Sequence, residues 1–70
     1  MVTFELKGQP FITLNNLLKV LGLVETGGEA NLRIADGEVK VNDVLETQKR
    51  KKLRVGDRIA FQKVRIVVSE

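Results

Sequence analysis

The spacing of the apolar residues changes at Gly37, about halfway along this chain. Before that point, leucines recur at intervals of three and four between Leu14 and Leu21, which is typical of one face of an amphipathic helix. After it, apolar and polar residues alternate, as in Val39–Val41, which indicates half-buried strands. The chain therefore predicts helices in its first half and paired strands in its second.

Two short helices are expected. Thr13 can cap the first, and Gly22 suits its C-terminal end, where a left-handed residue is common. The second begins at Thr26–Glu29, which has the spacing of a capping box. The hydroxyl of the threonine is expected to accept from the backbone amide of the glutamate, and the carboxylate to accept from the threonine amide. This helix should end at about Asp36.

The second helix carries apolar residues around more than one side. Ala30 and Ile34 share a face, whereas Leu32 and Ala35 lie farther round the helix. We therefore expect this helix to pack on more than one side.

The strands complete an α+β fold of one domain, residues 1–70, in which two short helices pack on a small, mainly antiparallel sheet of four to five strands. One strand precedes the helices, and three or four follow. The expected strands are Val2–Leu6, Val39–Val41, Val44–Leu45, Ile59–Phe61 and Val64–Val68, with Asn42-Asp43 as a turn.

Composition excludes several classes of function. The chain has no Cys and no His, so thiolate or imidazole metal sites and the commonest general base are absent. Its aspartates occur in turn contexts, where they are common for local reasons. We expect no enzyme activity, no metal, no cofactor and no small-molecule substrate. No apolar stretch approaches the ~20 residues of a membrane span, and the N-terminus does not resemble a signal peptide, which favours a cytoplasmic protein.

Four consecutive cations, Lys49–Lys52, lie between two apolar segments, so the fold must hold them at a fixed place. Residues 40–58 carry seven cations against three anions, whereas residues 1–39 carry three against five. Like charges that lie close together repel one another unless a polyanion neutralises them, and a nucleic-acid backbone is such a polyanion. A solvated loop and a nuclear-localisation patch are the alternatives. Lys40 and Arg54 can extend the patch, depending on strand alternation.

The aromatic residues are few. Phe4 and Phe61 occupy strand positions that look buried, and the chain shows no set of exposed rings for stacking bases. This favours recognition of the backbone and shape of folded RNA over readout of bases.

Three segments together resemble the alpha-L RNA-binding motif, the S-four-type domain named for small-subunit ribosomal protein four. They are Thr26–Ala30, Gly37–Asn42 and Lys51–Asp57. The resemblance covers the chain from about Thr13 to Val68, and implies a basic surface that binds structured RNA, either ribosomal RNA or another RNA of the ribosomal particle.

Residues are carried over where this sequence matches the motif. The RNA-binding residues implied in this way, together with Arg50 from the basic run, are Lys19, Thr26, Gly27, Gly28, Lys40, Asn42, Lys49, Arg50, Lys51 and Lys52. Asn31 and Gln48 stand where many relatives have a cation. Asn15 and Asn16 are expected to face solvent.

Gly27 and Gly28 have more than one interpretation. Their amides, at a helix start, can hold a phosphate. Alternatively the glycines allow the two helices to approach closely, or only form the turn.

The sequence thus predicts a non-catalytic, monomeric RNA-binding module. One alternative is a protein-interaction module, in which the basic run meets an acidic protein surface and Val64–Val68 pairs as an exposed edge strand. Nonspecific binding of DNA is another.

Overall fold

The computed structural model describes all of residues 1–70. Two helices and seven strands follow one another in the order β1 Val2–Glu5, β2 Ile12–Thr13, α1 Leu14–Val20, α2 Gly27–Ala35, β3 Val39–Val41, β4 Val44–Leu45, β5 Lys52–Leu53, β6 Arg58–Phe61 and β7 Val64–Ser69. None of the helices is long and apolar enough to cross a membrane.

The strands form two sheets. The larger has five strands in the order β1-β7-β6-β3-β4, and only its β1–β7 pair is parallel. The smaller is an antiparallel ribbon in which Ile12 pairs with Leu53 and Thr13 with Lys52. The predicted fold class is confirmed. The ribbon was not predicted, and with β5 it raises the number of strands after the helices to five.

One expected edge strand is wrong. The strand β7, which contains Val64–Val68, lies inside the sheet, because β1 covers one side of it and β6 the other. The edges are β1 and β4 instead. The protein-interaction alternative therefore loses the exposed β7 edge on which it partly depended.

The core is one cluster of fifteen buried residues, all of them apolar. Helix α1 contributes Leu14, Leu17 and Leu18, as the leucine spacing predicted. Phe61 is buried, whereas Phe4 is half-buried and packs against the cluster. No buried side-chain polar atom lacks a partner, so the core needs no internal polar network.

Helix α2 packs on one side only, so the expectation of two packed sides is wrong. Ala30 and Ile34 are fully buried, but Leu32 is 60% exposed and Ala35 is also exposed. No element of the fold covers that side of the helix. Its apolar side chains therefore lie on the surface.

The ends of α2 follow the sequence signals with one difference. The hydroxyl of Thr26 accepts from the Glu29 amide at 3.0 Å, as predicted. The Glu29 carboxylate, however, accepts from the amide of Glu25 at 2.8 Å, one residue before the amide expected. Helix α2 ends at Ala35 with Asp36 as its cap, and Gly37 follows with a φ of 79°, a left-handed conformation that glycine adopts without strain.

Candidate nucleic-acid interface

The segment Gln48–Lys52, here called the basic loop, is fastened to the start of α1 by its backbone. The amide of Leu14 donates to the Lys51 carbonyl at 2.9 Å, and the amide of Asn15 donates to the Lys49 carbonyl at 3.0 Å. Thr13 occupies the predicted cap position, but its side chain makes no capping hydrogen bond. The carbonyls of the basic loop thus satisfy amides that a helix start leaves free.

The basic loop is also closed on itself. The amide of Lys51 donates to the Gln48 carbonyl at 3.1 Å, and the Gln48 amide donates to the Glu46 carboxylate at 3.1 Å. Lys52 then enters β5 and pairs with β2. Main-chain bonds therefore fix the path of the loop and leave its side chains free.

The four side chains of Lys49–Lys52 are exposed, and none of them forms an ion pair. All three ion pairs of the protein involve Arg33 or Arg58. No carboxylate is therefore paired with the cations of the basic loop, and their charge is available to an anion that approaches from solvent.

A pair of amides joins the two helices beside the basic loop. The Nδ2 of Asn15 donates to the Oδ1 of Asn31 at 3.1 Å. Asn15 is half-buried rather than solvent-facing, since its backbone contacts the loop and its side chain contacts α2, whereas Asn16 is exposed as expected. Lys19 is one helical turn beyond Asn15, on the same side of α1, and is exposed. The basic loop, Lys19 and the paired amides thus share one side of the molecule.

The start of α2 is open. A Cβ placed on Gly27 would meet no other atom within 4 Å, and one on Gly28 would meet only the Thr26 hydroxyl, at 3.9 Å. Close approach of the two helices is therefore not the reason for these glycines. The carboxylate of Glu29 lies in the same turn and accepts from the amide of Glu25, so negative charge lies close to these amides.

Lys40 lies on a different surface. It is exposed between the buried side chains of Val39 and Val41, so alternation along β3 directs it to the sheet face opposite the core. Across that face it is aligned with Ala60 and Arg65. The structure therefore separates Lys40 from the side that carries the basic loop and Lys19.

The side chain of Asn42 forms hydrogen bonds with other residues of the protein. Its side chain donates to Asp57 at 3.1 Å and accepts from the Arg58 amide at 2.9 Å. Its φ is 52° and that of Asp43 is 68°, as in the two-residue turns that join antiparallel strands. Asn42 therefore positions the β3–β4 turn, and the contact with RNA implied for it stays a prediction.

Sequence reasoning missed Phe11. The Nζ of Lys52 lies 5.0 Å from the centre of its ring, and the Cζ of Arg54 lies 5.8 Å from it. In the sequence, Phe11 and Thr13 alternate with Ile12, and Lys52 and Arg54 alternate with Leu53. Only the pairing of β2 with β5 shows that Phe11 lies on the same side of the ribbon as the two cations. Arg54 thus extends the basic loop on the side of the ribbon.

The family model of the S4 domain matches residues 4–69. The chain belongs to the S4 domain family. This match spans the two helices, the basic loop and nearly all of both sheets.

Curated relatives and a solved structure agree with this assignment. The chain is 43% identical over 61 residues to the protein named "Putative RNA-binding protein YbcJ" of Escherichia coli (strain K12), covering 87% of each chain. It is equally similar to the protein named "Uncharacterized protein YbcJ" of Shigella flexneri. The solution structure of YbcJ from E. coli, described as revealing an αL motif involved in RNA-binding, superposes with a TM-score of 0.76 at 38% identity, covering 100% of this chain and 89% of that one.

Proposed function

We propose that this protein is a non-catalytic module that binds structured RNA through its basic loop and the adjoining side of α1 and α2. The observation that carries the proposal is the basic loop itself, in which four exposed cations have no carboxylate partner although the backbone is fixed. A preorganised cluster of this kind binds a polyanion without first ordering the chain.

RNA is the polyanion that the comparisons support. The E. coli relative is named for RNA binding, and the αL motif of its structure is described as involved in RNA-binding. In this chain the same fold places Lys19 and the basic loop on one side. The phosphates of a folded RNA are the ligand that such a surface accepts, since no base needs to be read for them to bind.

The proposed RNA is ribosomal RNA or an RNA of the ribosomal particle, in the cytoplasm, with the protein acting as a single copy. The support for this is the likeness to the S-four-type domain, which is named for a ribosomal protein. A non-catalytic role agrees with the bonds of Asp57, whose carboxylate accepts from Asn42 and from the Arg54 amide. This aspartate holds a turn in place.

Charge reversal in the basic loop tests the proposal. The triple variant Lys49→Glu, Lys51→Glu, Lys52→Glu should bind a ribosomal RNA fragment far more weakly than the wild type. Four phosphate contacts predict a slope of roughly −3 for log affinity against log salt, and the variant should lose most of that slope. The backbone bonds that hold the loop do not involve these side chains, so the fold should persist.

A matched control separates local charge from total charge. The triple variant Lys7→Glu, Lys63→Glu, Arg65→Glu changes the net charge equally, at exposed cations that form no ion pair and lie outside the basic loop. It should keep most of the affinity and of the salt slope. Equal loss in both variants would show that only net charge matters, and unchanged binding in the first would contradict the proposal.

The RNA class is tested by competition. At fixed salt, duplex DNA should compete poorly with ribosomal RNA, and partners recovered from cells should be lost after nuclease treatment. Protein partners that survive nuclease would favour the interaction module instead. Equal competition by DNA would reduce the function to nonspecific binding.

A further inference from the structure

The ribbon side of the basic loop borders a groove that the proposed function does not use. The groove, here called the Phe11 groove, has a volume of about 500 Å³. Its apolar lining includes Phe4, Phe11 and Val20, and its polar lining consists of Gln9, Thr13 and Asn16. Apolar walls with a few polar groups are typical of sites that bind small organic groups.

The charged side chains closest to the Phe11 ring are two cations. No carboxylate lines the groove. The Nζ of Lys52 and the Cζ of Arg54 lie over the Phe11 ring, 5.0 and 5.8 Å from its centre, and neither side chain forms an ion pair. An apolar wall with unneutralised cations at its rim is complementary to a group that is flat and apolar in the middle and anionic at its edge. A nucleotide has this distribution.

The groove adjoins the basic loop at Lys52, which lies over the Phe11 ring. Lys52 is both the last cation of the loop and a neighbour of the Phe11 ring. Val20 is 59% exposed at the far side of the groove, where burial of an apolar surface would be favourable. A strand of RNA whose phosphates follow the loop would therefore bring a neighbouring base over the groove.

We propose that the Phe11 groove receives one unpaired nucleobase of the bound RNA, while Lys52 and Arg54 hold its flanking phosphates. This inference rests on the proposed function and sharpens it, because it names the structural feature of the RNA that is selected. Gln9, Thr13 and Asn16 supply hydrogen-bonding groups for the edge of the base. The protein would then bind one RNA at two places, its paired stem on the basic loop and its extruded base in the Phe11 groove.

The test uses a set of RNA hairpins that differ only in one unpaired adenine, placed at successive positions of the stem, with the fully paired hairpin as reference. The wild type should bind the best member of the set on the order of tenfold more tightly than the paired hairpin, since base–aromatic stacking has that magnitude. The variant Phe11→Leu keeps an apolar side chain and should lose this preference, measured as the ratio of its affinities for the two hairpins.

Two further variants guard against misfolding and indirect effects. Val20→Glu introduces a carboxylate at an exposed position of the groove, where folding does not depend on the side chain, and should also remove the preference. Val44→Ala changes a remote side chain that is 67% exposed, and this variant should keep the preference for the unpaired adenine.

The outcomes separate this inference from the proposed function. Equal affinity of the wild type for every hairpin, or a preference that survives both Phe11→Leu and Val20→Glu, overturns the inference and leaves RNA binding in place. Absence of binding to any hairpin overturns both.

Discussion

The cations of the basic loop differ from Arg33 in whether carboxylates of the protein pair with them. Arg33 lies between two carboxylates, with its Nη1 3.2 Å from Glu38 and its Nη2 3.5 Å from Glu29. The side chains of the basic loop have no such partners, although their backbone is fixed by hydrogen bonds to α1. A cation that is compensated by local carboxylates contributes to the structure of the protein. Cations that are held in place and left uncompensated are suited to a ligand.

The largest expected effect comes from removing the apolar support of the basic loop. Leu53 is fully buried next to Lys52, so Leu53→Ala should lower the free energy of unfolding by ~2–5 kcal/mol, and RNA affinity should fall as the loop loses its position. Chemical denaturation and a binding titration measure the two effects. Val55→Ala, at a side chain that is 54% exposed, should change stability by less than ~0.5 kcal/mol. Unchanged stability in Leu53→Ala would mean that the loop does not depend on this core contact.

A smaller effect is expected at Asn42, where a variant tests whether the side chain supports the fold or contacts RNA. Asn42→Ala removes two hydrogen bonds of the side chain and puts alanine at a φ of 52°, so it should cost ~1–3 kcal/mol of stability. If Asn42 acts only by positioning the turn, RNA affinity should stay unchanged at temperatures where the variant is folded. Thr47→Ala, at an exposed position without a side-chain hydrogen bond, is the control for stability. Weaker RNA binding with unchanged stability would instead place Asn42 in the interface.

The smallest effect compares the two regions directly. Lys49→Gln should weaken RNA binding about fivefold at 0.1 M salt and reduce the salt slope by roughly 0.7, as expected for one lost phosphate contact. Arg33→Gln should leave both unchanged and cost only ~0–1 kcal/mol of stability, because its partners are partly exposed. Equal losses of affinity in these variants would remove the distinction between compensated and free cations.

Local patterns predicted the parts of the fold that local interactions stabilise. The leucine spacing predicted α1, Thr26–Glu29 predicted the start of α2, and Gly37 predicted its end. In each case the residues that form the feature lie within a few positions of one another. The turn at Asn42-Asp43 was predictable for the same reason.

Pairing between distant segments was not predictable in this way. The ribbon joins residues about forty positions apart, and two-residue strands carry too little pattern to reveal it. The interior position of β7 depends on the parallel pairing of β1, at the other end of the chain. The exposed side of α2 shows the same limit, because the apolar character of Leu32 does not reveal whether another element covers it.

In the candidate site, too, local sequence patterns identified some residues and only the tertiary structure identified others. The run Lys49–Lys52 was identified from charge alone. Lys40 was grouped with it as an extension of the charged patch and by the motif, and Asn42 by the motif only. Strand alternation places Lys40 on another face, and hydrogen bonds occupy the side chain of Asn42. Phe11 joined the candidate residues only when its strand partner was known.

The sequence by itself determined where the helices begin and end, which residues alternate into the core, and where four cations follow one another. These properties depend on spacing along the chain, which folding does not change. The tertiary structure alone decided which cations share a surface, which are paired with carboxylates, and that Lys52 and Arg54 lie over the Phe11 ring. Charge compensation and stacking act between side chains that are neighbours in space, and only the pairing of distant strands makes these residues neighbours.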